Sequence, residues 1–141
     1  MTTVPGSATF SASPRVIVTR RLLPETQARL SELFDALPNP SDTPLTRDEL
    51  AAAMQDCDVL VPTVTDNLDA ELLSRAGDRL KLIANFGAGI EHIDLRAARA
   101  RGIIVTNTPG AFADDVADFK RMLIVSVPRR FAEGVRLLDA G

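Results

Sequence analysis

Gly87-Ala88-Gly89 is the stretch of this 141-residue chain best suited to chemistry. Glycine lets the backbone turn sharply and come close to a ligand. Three successive N–H groups aimed into one concavity can hold an anion. The stretch follows Leu82-Ile83-Ala84, an apolar run without polar alternation. Such a run predicts a strand buried on both faces, as in a parallel sheet. Asp94 then caps a predicted helix, Leu95 to Arg101, which Gly102 ends. The glycine turn therefore falls at the carboxyl end of a strand, where open α/β sheets bind ligands. A tight turn without a ligand has the same signature, because an isolated Gly-x-Gly is a weak motif.

Other reactive residues are few. His92 is the only histidine and Cys57 the only cysteine, so no His/Cys metal cluster can be assembled. His92 has the chemistry of a general base, but it lies among turn residues, with only Glu91 and Asp94 beside it. A surface or capping role fits it better. Cys57 falls on the apolar face of a predicted helix and reads as a core thiol. No Gly-x-Gly-x-x-Gly and no Walker motif occurs, since Gly89 is followed by Ile90, Glu91 and His92. Arg20 and Arg21 follow the first predicted strand, where a receiver domain needs acidic residues. No residue is assigned a catalytic role.

The elements that must position the turn can be read in order. Arg15 to Thr19 is a first strand. Pro24 opens a helix, and Leu30, Leu33, Phe34 and Leu37 fall on one helical face that Pro38 stops. The proline-rich stretch from Pro38 to Pro44 allows at most a stub of strand at the sheet edge. Thr46 and Glu49 have capping-box spacing ahead of a helix bearing Leu50, Ala53, Met54 and Cys57. Asp58 to Pro62 is a strand, Thr63 to Asn67 its carboxyl-end loop, and Leu68 to Arg75 a helix. After the glycine turn come a strand, Ile103 to Asn107, and a helical stretch from Phe112 to about Leu138. Pro128 should kink or break that stretch. Repeated strand–helix units with short connections predict an α/β fold: a doubly wound parallel sheet, flavodoxin-like in its 2-1-3-4-5 order.

Composition narrows the function classes. The net charge of −3, and six Phe with no Trp or Tyr, leave no footprint for nucleic acid. No apolar run reaches the roughly 18 residues that cross a bilayer. A lone cysteine suits a reducing, cytoplasmic setting. Residues 1–13, rich in Ser, Thr and Ala, read as a disordered tail. The α/β domain is expected over 14–110, and a helical segment over 111–141.

Four motifs run in order: Pro62-Thr63-Val64-Thr65-Asp66, Leu80 to Gly89, His92-Ile93-Asp94-Leu95, and Gly102 to Gly110. Together they closely resemble the N-terminal half of D-isomer-specific 2-hydroxyacid dehydrogenases, the glyoxylate/hydroxypyruvate reductases most of all. The resemblance implies a substrate-binding domain whose Gly87, Ala88 and Gly89 N–H groups hold the carboxylate of a small 2-oxo or 2-hydroxy acid. It places Val64 in the substrate pocket and Val116 near the nicotinamide. It makes the long helix from Phe112 the element that crosses to a Rossmann domain and helps pair subunits through residues 111–127. NAD or NADP is the implied cofactor. The family's dinucleotide-binding domain and its catalytic Arg, Glu and His match nothing in these 141 residues. The chain alone is therefore expected to be inactive and not to bind the cofactor. The alternative is a non-catalytic module for carboxylate binding or oligomerisation.

Overall fold

The computed structural model describes residues 13–141. The tail expected over residues 1–13 lies outside them except for Ser13. Five strands form one sheet: β1 (Arg15–Val18), β2 (Asp35–Leu37), β3 (Val59–Val61), β4 (Leu82–Ala84) and β5 (Ile104–Thr106). Every pairing is parallel, and the order is β2-β1-β3-β4-β5. This is the flavodoxin-like order expected from the alternating strand and helix signals. The chain divides into two compact units at Pro109 and Gly110.

Helices cover the two faces of the sheet unequally. On one face, α2 (Arg47–Asp56), α3 (Ala70–Ser74) and α4 (Leu95–Ala100) pack on Leu60 and Ile83. Leu50, Met54, Leu72, Leu73 and Ala98 supply that main core. On the other face, Leu22 and Leu30 of the segment around α1 (Pro24–Leu33) meet Val16, Val18 and Val59. An apolar hollow of about 340 Å³ remains there between Phe34, Val61, Leu82 and Ala84. This corrects the expectation of burial on both faces of β4: Ile83 is buried, whereas Leu82 and Ala84 are half-buried.

Local signals set most element ends. Thr46 and Glu49 form the capping box at α2, the Thr46 N–H donating to Glu49 Oε2 at 2.7 Å. Asp94 caps α4 by accepting from the N–H groups of Arg96 and Ala97. Asp69 caps α3, accepting from Leu72 N, so that helix begins two residues later than Leu68. Leu68 instead bridges to Ile93.

The second strand corrects the helical reading of Phe34 and Leu37. Helix α1 ends at Leu33, Phe34 is extended, and β2 follows at once. No residue of α1 is buried, so extending the helix through Leu37 would gain little packing. Pairing with β1 in the register Val16↔Ala36 gives Asp35–Leu37 ladder hydrogen bonds, and Asp35 gains an ion pair with Arg15 at 3.1 Å. The strand is an edge stub, as expected, but it lies before the prolines rather than among them.

In the second unit the helical stretch is broken, as expected at Pro128, into α5 (Ala113–Ser126) and α6 (Phe131–Asp139). Pro128 lies in the break, and Arg130 adopts a left-handed conformation at the start of α6. Among the described residues no helix is long and apolar enough to cross a membrane.

Candidate functional site at the carboxyl ends of three strands

Strands β3, β4 and β5 lie side by side and parallel, so their carboxyl-end loops rise together. The loop after β3 is pinned by Asp66, a buried carboxylate. It accepts from Thr19 Oγ1 at 2.6 Å and from the Thr63 N–H at 2.8 Å. Burial of this acid is balanced by those donors, as a buried polar group requires. The pinned loop presents Val64, which is 59% exposed.

The loop after β4 is built on Asn85, which is buried. Its Nδ2 donates to the Gly87 carbonyl at 3.0 Å and to the Gly89 carbonyl at 2.9 Å. Its Oδ1 faces His92 Nε2 at 3.0 Å. From the β5 side, Asn107 Nδ2 donates to the Ala88 carbonyl at 2.7 Å, and the Thr108 N–H donates to the Gly87 carbonyl at 3.0 Å. All three carbonyls of Gly87-Ala88-Gly89 are thus claimed by the protein.

That arrangement decides which N–H groups remain. In a trans peptide, the C=O of one residue and the N–H of the next point opposite ways. Carbonyls of Gly87 and Gly89 turned onto Asn85 therefore turn the N–H groups of Ala88 and Ile90 away from it. The N–H groups of Ala88, Gly89 and Ile90 donate to no acceptor among the described residues. The Gly87 N–H is different, since it donates to the Asn85 carbonyl at 3.0 Å. Of the three N–H groups expected to meet one anion, those of Ala88 and Gly89 are thus unbonded within the chain and that of Gly87 is bonded.

Glycine at 87 has another reason. A Cβ there would stand 3.1 Å from Val64 Cγ1. The structure thus brings Val64 and the Gly87-Ala88-Gly89 turn together. Val116 lies in α5, in the other unit. Residue reading missed Asn85, Asp66 and Asn107. The one local signal for them was Asn85 itself, a polar residue closing an apolar run just before the glycines.

Cys57 is fully buried, and burial pushes its thiol up to about 12, so it is a core thiol without nucleophilic character at neutral pH. Among the described residues no group of three His, Cys, Asp or Glu could hold a metal. Nor do the residues present fit a dinucleotide. The glycine turn lacks the third glycine that lets a helix pack closely behind the dinucleotide fingerprint.

Residues 16–120 match the family described as D-isomer specific 2-hydroxyacid dehydrogenase, catalytic domain. The chain belongs to that family. Among its relatives within these dehydrogenases is the glyoxylate reductase of Thermofilum pendens, 39% identical over 131 residues. The match covers 92% of this chain and 38% of that reductase. A Polaromonas sp. JS6 66 structure, assigned to the D-isomer-specific 2-hydroxyacid dehydrogenases and described as NAD-binding, superposes with a TM-score of 0.82 at 33% identity. It covers 92% of this chain and 40% of that one. The NADPH-dependent glyoxylate/hydroxypyruvate reductase of Sinorhizobium meliloti, solved with NADP and malonate, gives 0.72 at 29% identity. That match covers 91% of this chain and 38% of the reductase. The chain thus spans well under half the length of the dehydrogenases it matches, and corresponds to their N-terminal part.

Proposed function

We propose that this chain is the acid-binding part of an NAD(P)-linked oxidoreductase acting on the CH–OH group of small 2-hydroxy acids, with glyoxylate or hydroxypyruvate as the 2-oxo partner. The observation that carries the proposal is the pair of unbonded N–H groups at Ala88 and Gly89, beside Val64 and Gly87, at the carboxyl end of β4. Backbone N–H groups converging on one point favour a carboxylate. Val64 gives the acid an apolar wall and limits its size. By family the hydride chemistry belongs to the nicotinamide, and no proton-transferring group is assigned to these residues.

Affinity should be weak. Glyoxylate has five heavy atoms, and the best small ligands reach only about −1.5 kcal/mol for each. Two N–H groups on an open loop, without a cationic partner, fall far short of that ceiling. Titrating the isotope-labelled chain with glyoxylate should move the Ala88 and Gly89 amide resonances, with a millimolar dissociation constant. These 141 residues should show no turnover with NADH or NADPH above the enzyme-free control. Shifts confined to other loops would sink the site, and turnover would sink the division of labour. A micromolar constant would favour a stand-alone binding module instead.

The same reading gives α5 the role of a pairing or crossing element, with Val116 toward the nicotinamide. Its support is the exposed stripe of Phe112, Val116, Phe119 and Leu123, large apolar side chains of the kind that interfaces cover. Sedimentation over a range of concentrations tests it, and a monomer throughout would remove pairing from the proposal.

A further inference from the structure

The side chains of Asn85 and His92 are locked to each other in one hydrogen-bonding sense. Carbonyl oxygens only accept, so the Asn85 face turned to Gly87 and Gly89 must be its NH₂. Its Oδ1 is therefore the atom facing His92, and His92 Nε2 must carry the hydrogen that bridges them. Both amide hydrogens of Asn85 and its oxygen are used, and the residue is 2% exposed. His92 is half-buried and sits four residues beyond Ala88, on the segment that the Leu68–Ile93 bridge ties down.

We propose that Asn85 and His92 are positioning residues for carboxylate binding: His92 completes the hydrogen bonding of the Asn85 amide, whose hold on two carbonyls leaves the Ala88 and Ile90 N–H groups facing out. The inference rests on the carboxylate reading of the turn. Its core is that a donor to Asn85 Oδ1, rather than bulk, is what His92 supplies. Without a donor at Oδ1, that buried oxygen is left unpaired and the amide keeps only its two bonds to the carbonyls. The turn then shifts to satisfy that oxygen, and the Ala88 and Ile90 N–H groups shift with the carbonyls bonded to Asn85.

Two substitutions at His92 separate hydrogen donation from packing. Glutamine can still donate to Asn85 Oδ1, whereas leucine fills the space without a donor. The full chain is isotope-labelled, and the orientations of the Ala88 and Ile90 N–H vectors are read from residual dipolar couplings without ligand. His92→Gln should keep the native orientations and His92→Leu should not. In the wild type, ring-nitrogen shifts should report hydrogen on Nε2. With glyoxylate added, the dissociation constant should rise about tenfold in His92→Leu, the factor expected for a lost buried hydrogen bond, and stay within about twofold in His92→Gln. Equal orientations in all three proteins, or hydrogen on Nδ1 alone, would overturn the positioning role. If the wild-type amides ignore glyoxylate while the ligand-free orientations behave as expected, the carboxylate reading fails and the positioning of the turn stands.

Discussion

Val64 stands so close to Gly87 that a methyl group on the glycine would lie 3.1 Å from Val64 Cγ1. Two neighbouring strands, β3 and β4, set this approach through the parallel Thr63–Phe86 bridge. The pair joins the apolar wall of the proposed acid site to its N–H groups.

Gly87→Ala should therefore disturb the site more than the fold. The backbone at 87 is not left-handed, and the exposed Val64 side chain can rotate away. Stability should fall by less than about 1 kcal/mol, while the glyoxylate-induced shifts at Ala88 and Gly89 weaken. Val64→Ala in the same chain should restore them. Chemical denaturation and amide titration of the two variants check both halves.

A contrasting pair of glycines tests packing. A Cβ at Gly77 would meet Gln55 Cα and its carbonyl oxygen at 3.0 Å, and backbone at the end of α2 cannot step aside cheaply. Gly77→Ala should cost about 2 kcal/mol, the range of overpacked sites. Gly134 lies inside α6 with nothing near its Cβ position. Gly134→Ala should raise helix content and add up to about 1 kcal/mol to the helix. Thermal melts and circular dichroism should move in opposite directions for the two.

The capping box of α2 has a measurable share in the core. Thr46 Oγ1 accepts from the Glu49 N–H, and α2 delivers Leu50, Ala51 and Met54 to the buried cluster. Thr46→Ala should destabilise the chain by about 1 kcal/mol. Thr46→Ser should retain most of that, which a comparison of denaturation midpoints would show.

Acid should find Asp69. The Arg47 guanidinium donates to both its oxygens at 2.8 Å and, with the Leu72 N–H, holds its carboxyl at about 2, below the ordinary 3.8. The unfolded chain then binds the proton more readily, so stability rises with pH across this window. The contribution is complete above about pH 4 and is lost as pH falls through about 2. Asp69→Asn keeps an N-cap acceptor but not the titration. It should flatten the acid limb of stability against pH, and an unchanged slope would show that another carboxylate governs it.

Much of the fold was legible along the chain because its signals act over a few residues. Apolar runs at β1, β3, β4 and β5, separated by capped helices, dictate parallel strands joined by crossovers, and that restricts the order of the sheet. Thr46 with Glu49, Asp94 and Pro128 mark their boundaries through hydrogen bonds or clashes with near neighbours. The motif series around Gly87 and Gly89 identified the family for the same reason, since it is contiguous.

What the tertiary structure alone decided depends on partners distant in sequence. Phe34 and Leu37 carry a helical period, yet β1, twenty residues earlier in register, draws Asp35–Leu37 into the sheet. Asn85 reads as the polar end of a strand until the chain doubles back, bringing two carbonyls and His92 around it. The Gly87 N–H was lost to Asn85 by a turn geometry that no spacing encodes. The half-open face of β4 follows from how many helices pack on each side, which periodicity cannot count. Local sequence specifies elements and their ends, because capping and periodicity are short-range. The aim of an N–H group at the site is set by hydrogen-bond partners that only folding assembles.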